Sequence, residues 1–231
     1  DAICKEAFES DVPVFIDAED SWIQDGIDRI AEVMMRQYNK KKAIVFTTVQ
    51  MYRHDRLQFI KDQFYRANED GFFVGVKLVR GAYMEKERDR AKEKGYPSPI
   101  QKDKISTDRD FNLALDFMVS RLNVFYVCCG THNEESTDYL LSLMEKYKID
   151  RTDKRIFAAQ LLGMSDHITY NLAHNGYNVA KYVPYGPVKE VIPYLLRRAQ
   201  ENTSVAGQTS RELSLITKEK ERRKLYQVKY A

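Results

Sequence analysis

Cysteine is scarce in this chain of 231 residues: Cys4, Cys128 and Cys129 are all there is. An odd number with two adjacent excludes a disulfide framework and points to a reducing compartment. No C-x-x-C pair and no histidine-rich spacing is present, so no metal site is expected. No apolar run approaches the roughly 20 residues that cross a bilayer. No G-x-G-x-x-G follows a strand pattern and no Walker loop occurs, which removes the usual support for a Rossmann or P-loop reading. An excess of charge of one sign is also missing: 37 basic residues face 34 acidic ones. The longest basic tract, Lys40–Lys42, precedes a strand pattern and reads as a solvated turn, so no nucleic-acid partner is expected. A starting methionine is lacking too. The chain opens on D-A-I-C-K-E-A-F, an amphipathic pattern already in progress, and is expected to be an excerpt of a longer one.

What the sequence does contain is a regular alternation of short apolar runs and longer amphipathic ones. Strand patterns fall at Val12–Asp17, Ala43–Gln50, Phe72–Arg80, Asn123–Cys129, Arg155–Leu162 and Val179–Val183. Helix patterns fall at Ser21–Tyr38, with Ser21 as N-cap, and at Asp55–Asn68, Ala82–Lys94, Asp108–Leu122, Glu134–Lys148, Ser165–Asn175, Pro187–Asn202 and Thr209–Tyr226. Gly95–Lys104 is the longest loop. The strands are continuously apolar rather than alternating, the mark of a parallel sheet covered by helices. Such repetition fits either a doubly wound sheet or a (β/α)8 barrel.

Each strand pattern ends, on its carboxyl side, in polar residues: Asp17-Ala18-Glu19, Gln50, Lys77–Arg80, Thr131-His132-Asn133, Gln160 and Tyr182–Tyr185. Barrel enzymes build their sites at that end. Any single residue has an ordinary structural reading as strand-end solvation; the recurrence across six strands favours a site. The stretch P-Y-L-L-R-R-A-Q-E-N (193–202) adds Tyr194, Arg197, Arg198 and Glu201 within two turns of one helix. Two arginines about 100° apart can grip a small anion from two sides by charge-assisted hydrogen bonds. By itself this stretch reads equally as a solvated helix face.

Taken in order, D-A-E (17–19), V-Q-M-Y (49–52), K-L-V-R-G-A-Y (77–83), G-Y-P-S-P-I (95–100), T-H-N (131–133), Q-L-L-G-M (160–164), K-Y-V-P-Y-G (181–186) and Y-L-L-R-R-A-Q-E-N (194–202) resemble the proline dehydrogenase family. The Q-L-L-G-M and K-Y-V-P-Y-G forms look more like the stand-alone eukaryotic-type enzymes than the domain in fused bacterial ones. The resemblance implies a distorted (β/α)8 TIM barrel, with about six of its eight βα units in this chain and FAD across the strand ends. It implies oxidation of L-proline to Δ1-pyrroline-5-carboxylate, with electrons passed to a quinone. Arg197 and Arg198 would hold the proline carboxylate, supported by Glu201. Tyr182, Tyr194, Leu161 and Tyr83 would enclose the ring. Asp17 sits among these groups, and Lys77 matches a basic residue, usually arginine, near the flavin N5. Gln50, Arg80, Gly81, Ala82, Thr131 and His132 match flavin contacts, with Ala18 and Asn133 beside them. No metal is required.

The chain departs from the family in one respect. Nothing in Asp1–Pro13 reads as the strand that carries a further substrate-contacting lysine, so roughly 60 or more residues are expected upstream. The whole of 1–231 is read as one catalytic barrel domain, and the last helix, amphipathic and basic, as packing over the barrel or lying on a membrane surface. The expected location is peripheral to the mitochondrial inner membrane or the bacterial cytoplasmic membrane. Hydroxyproline oxidation is the sibling activity, against which the bulk of Tyr182 argues. A Schiff-base barrel enzyme using Lys77 and a non-catalytic module on the same scaffold are the remaining alternatives.

Overall fold

The structure, a computed structural model, describes residues 1–204, 214 and 217–223, with side chains omitted over 197–204. Six strands alternate with helices: β1 (Val14–Ile16), β2 (Val45–Gln50), β3 (Val74–Val79), β4 (Phe125–Gly130), β5 (Ile156–Leu161) and β6 (Val179–Tyr182). They form one sheet in the order β1-β2-β3-β4-β5-β6, and the four registered pairs from β1 to β5 are all parallel. A doubly wound sheet would reverse its order at a switch point. Strictly sequential parallel order is that of a (β/α)8 barrel, here represented by six of its strands.

The helices are α1 (Ala2–Glu9), α2 (Ser21–Tyr38), α3 (Arg56–Asp70), α4 (Met84–Lys94), α5 (Lys104–Val119), α6 (Glu134–Lys146), α7 (Asp166–His174) and α8 (Val188–Ser204). Residues 214 and 217–223 are helical, and the rest of the helix expected over Thr209–Tyr226 lies outside the described residues. The chain divides into two compact units. One comprises Asp1–Gln160 with Asp166–Lys181; the other comprises Leu161–Ser165 with Tyr182–Ala231.

Alternation along each strand sorts the side chains between two faces. Val45, Val49, Val74, Val76, Leu78, Phe125, Val127 and Cys129 belong to the main core together with Met35, Ile60, Phe111, Leu115 and Leu140 from the helices. Their neighbours in sequence form the opposite face in registered rows. The lower row is Phe15, Phe46, Gly75 and Tyr126, and the row above it pairs Thr48 with Lys77, Lys77 with Cys128, and Cys128 with Phe157. A Cβ on Gly75 would stand 2.6 Å from the Val45 carbonyl oxygen and 2.7 Å from the Phe46 ring, so only glycine lets the lower aromatic row close.

Two helix starts show how boundaries differ from the sequence reading. Ser21 is not the N-cap of α2: Asp20 is, and Ser21 begins the helix. The Asp20 side chain makes no capping bond; a distant carboxylate, Glu87, takes the Ser21 N–H and hydroxyl instead. Helix α5 starts four residues before Asp108, because Asp103 caps it by accepting the Ser106 N–H at 2.7 Å. Helix α2 ends at Tyr38, as read, and its C-cap Asn39 has a fully buried side-chain amide that accepts the Ile44 and Val45 N–H groups at 2.9 Å each and donates to the Val45 and Phe73 carbonyls at 2.8 and 3.0 Å.

Candidate active site

Within the first compact unit the polar residues singled out after β1 to β4 lie at the carboxyl edge of the sheet. In the first compact unit Asp17, just after β1, pairs with Lys77 of β3 and accepts the Thr48 hydroxyl of β2 at 3.2 Å. The Asp17 side chain is 55% exposed and Lys77 19%, so this pair is open on one side. Lys77 Nζ lies 5.8 Å from the centre of the Phe15 ring. A cation here is therefore held over an aromatic floor and beside a carboxylate, a setting that fixes its position at modest energetic gain.

Arg80, past the end of β3, is braced rather than free-swinging. Its Nε donates to Asp108 of α5 at 2.7 Å, Nη1 to Thr131 at 2.8 Å and Nη2 to Ser136 of α6 at 2.9 Å, and its guanidinium lies 4.3 Å from the Phe111 ring centre. Burial alone would raise the Asp108 carboxyl, but hydrogen bonds from Lys104 and Arg80 outweigh it and hold the group below its ordinary value. Thr131 is buried. Its hydroxyl also accepts the Asn133 N–H at 3.1 Å, and its carbonyl accepts from Gln160 at 3.2 Å. Asn133 is the N-cap of α6, accepting the Ser136 N–H at 2.8 Å, so its side-chain oxygen already has a structural task. His132 is half-buried between them.

Gln50, the last residue of β2, is 4% exposed, and its side-chain Oε1 has no hydrogen-bond partner among the described residues. A buried acceptor left this way is costly unless a ligand or water completes it. Ala18 is buried, whereas Gly81 and Ala82 are exposed. The tight turn at Gly81 has φ +128°, and a Cβ there would stand 2.6 Å from the Tyr52 ring. Tyr83 donates its hydroxyl to Glu19 at 2.9 Å, tying the loop after β3 to the loop after β1.

The second unit holds the remaining candidates. Leu161 is half-buried and Tyr182 is 44% exposed. The Tyr182 and Tyr194 rings are 5.4 Å apart at an angle of 39°, a tilted aromatic pair. The backbone of α8 carries Arg197, Arg198 and Glu201 on consecutive turns, while their side chains lie outside the described residues.

Several contributors escaped the sequence reading: Glu87, Asp108, Ser136 and Asn39. None stands in a motif, and each acts on a partner 5 to 66 residues away. The two adjacent cysteines are buried thiols whose pKa values burial pushes up to about 12. Among the described residues no group of three His, Cys, Asp or Glu side chains is placed to hold a metal, and no helix is long and apolar enough to cross a membrane.

Sequential parallel strands with a polar, cation-bearing carboxyl edge define a protein of the (β/α)8-barrel class, and that edge is the candidate site. The proline dehydrogenase family model matches residues 1–211. "Proline dehydrogenase 1, mitochondrial" of Drosophila melanogaster is 41% identical, covering 96% of this chain and 34% of that protein. "Hydroxyproline dehydrogenase" of Xenopus laevis is 38% identical, covering 96% of this chain and 48% of that protein. A crystal structure of proline utilization A from Bdellovibrio bacteriovorus inactivated by N-propargylglycine superposes with a TM-score of 0.83 at 23% identity, over 89% of this chain and 21% of that one. The chain belongs to the proline dehydrogenase family. It is more similar to the Drosophila enzyme than to the proline utilization A structure, as the Q-L-L-G-M and K-Y-V-P-Y-G forms suggested. It spans about a third of the length of the Drosophila relative.

Proposed function

We propose that the protein to which this chain belongs oxidises L-proline to Δ1-pyrroline-5-carboxylate with bound FAD, passes the electrons to a quinone, and works at the surface of an energy-conserving membrane. The observation that carries this reading is the row Asp17–Thr48–Lys77, set beside a buried Gln50 side-chain acceptor that lacks a partner among the described residues. The orphaned oxygen and the neighbouring cations suit a heteroaromatic group with both donors and acceptors on its polar edge. FAD, when bound, would accept the hydride from proline C5.

The chain's own residues do the rest by placement. Gln50, Thr131 and His132 would hold the cofactor's polar edge, with Arg80 orienting Thr131 and Ala18, Gly81, Ala82 and Asn133 supplying the walls. Lys77 would put positive charge where electron density arrives, which favours transfer without any base on the protein. Asp17 keeps Lys77 in place. Tyr83, Leu161, Tyr182 and Tyr194 would enclose the substrate ring and exclude water, and Arg197 and Arg198, backed by Glu201, would clamp its carboxylate. Residues 1–231 would then be part of one catalytic barrel, and a Schiff-base role for Lys77 is not needed.

The test is optical. Purified full-length protein should show flavin absorbance that bleaches on adding L-proline under anaerobic conditions. A colourless protein that FAD cannot reconstitute overturns the proposal. The hydroxyproline alternative has a relative at 38% identity behind it. Kinetics on both amino acids decide it, with higher kcat/KM for proline expected.

A further inference from the structure

We propose that Glu87 is a positioning residue: its carboxylate latches α4 onto the start of α2 and thereby fixes the two strand-end loops that carry Asp17, Glu19 and Tyr83. Two helices follow β3 where the repeat needs one. It is α5 that packs on α3, α6 and β4. Helix α4 buries only Glu87 and Ala91 and has almost no apolar seat. Polar contacts place it instead. Lys77 meets Asp17, the Tyr83 hydroxyl meets Glu19 at 2.9 Å, Lys86 meets Asp20 at 2.8 Å, and Glu87 meets Ser21. These four contacts run in step along both loops, like a zipper. Trp22 adds a fifth contact, with the Arg90 guanidinium 4.1 Å and the Lys86 ammonium 5.2 Å from its ring.

The four rungs are not equal. Asp17 is 55% exposed and Lys86 59%, so solvent screens those pairs and they hold the loops weakly. Glu87 is 0% exposed. Its two oxygens accept the Ser21 N–H and the Ser21 hydroxyl, each at 2.6 Å. Ser21 is the first helical residue of α2, so the buried carboxylate also meets the positive end of that helix. A buried charge satisfied by one residue 66 positions away has few alternative arrangements, and removing it leaves an orphaned N–H and hydroxyl. The same loop continues inward: Gln24 accepts the Glu19 N–H at 2.8 Å and donates to Asp28 at 2.7 Å, which in turn meets Arg56 at 2.5 Å. The loop after β1 is therefore anchored on its α2 side, and Glu87 decides whether the loop after β3 is anchored with it.

The kinetic consequence rests on the proline-oxidising reading above; the conformational one does not. In the full-length protein, Glu87→Gln keeps the shape but removes the charge facing the start of α2, leaving one acceptor for the Ser21 N–H and a neutral amide donor against the Ser21 hydroxyl. KM for L-proline should rise about tenfold with kcat within about threefold, measured on the flavin-loaded fraction, as for a displaced binding wall. Ser21→Ala should give a smaller rise in the same direction, and the double variant should be no worse than Glu87→Gln alone. Amide hydrogen exchange should quicken at 17–24 and 83–91 in both variants and stay unchanged over 45–50 and 125–130. A lower Tm with unchanged KM and unchanged exchange at 17–24 would mean a merely structural carboxylate and overturns the proposal. Additive effects of the two substitutions on KM overturn it as well. If the wild type does not turn over proline, the functional reading fails on its own, and the exchange measurement decides the latch: unchanged protection at 17–24 in Glu87→Gln removes it.

Discussion

At the residue scale, the arrangement of the site depends on which side chains the sheet can accommodate as much as on which are polar. Gly75 shows this directly below Lys77. It is an interior strand position, where glycine ordinarily costs stability, yet any larger residue would meet the Val45 carbonyl at 2.6 Å. Backbone cannot rotate away as a side chain can. Gly75→Ala should therefore destabilise the fold by about 2 kcal/mol or more, read as a lower urea midpoint with an unchanged slope. The candidate residues at this scale were legible in the sequence because their types are chemically pointed: a lysine and a carboxylate after apolar runs, or a glutamine ending one. Their partners were not legible. Nothing local in K-L-V-R announces that Arg80 is held by Asp108, Thr131 and Ser136, since those partners lie 28 to 56 residues away and two of them belong to the next βα unit.

At the scale of elements, periodicity located every strand and nearly every helix, because a helix on a parallel sheet must keep its apolar stripe over many residues. Ends were less legible. Helix α5 begins at Lys104 with Asp103 as its cap, inside a stretch whose two prolines and lysines read as loop. The end of α2 at Tyr38 was legible, but the task of the residue after it was not: the Asn39 side-chain amide organises the entries of β2 and β3 with four hydrogen bonds at once. Asn39→Asp replaces the amide donor with a second acceptor facing the Val45 and Phe73 carbonyls, and it buries a charge. The expected loss is about 3 kcal/mol or more by chemical denaturation, well above that of a surface Asn→Asp change such as at Asn68.

At the scale of the whole molecule, acidic residues between helices set how the fold meets low pH. The Asp55 carboxyl is lowered to about 2: burial on its own would raise it, and hydrogen bonds from Arg56 and Arg53 more than reverse that. A folded-state value below the ordinary one means the group favours the fold fully above about pH 4, and that this contribution is lost as pH falls towards 2. Asp55→Asn should flatten the acid limb of the stability profile between about pH 4 and 2 while leaving its slope near neutrality unchanged. Equilibrium unfolding across that range checks the sign. A steeper limb in the variant would contradict the assignment.

The sequence alone determined the order of elements, the parallel sheet, and the chemistry along its carboxyl edge, down to the ordered motifs that resemble one family. These are local properties: periodicity, apolar runs and the residue that ends each run. Only the tertiary structure decided that the sheet order is sequential and that Asp17 meets Lys77. It alone revealed a glutamate in an unremarkable charged helix as the buried partner of Ser21. The physical reason is the same in each case. Hydrogen bonds and ion pairs between groups 60 or more residues apart leave no trace in the local pattern of either segment. They exist only once the hydrophobic core has set the strands side by side.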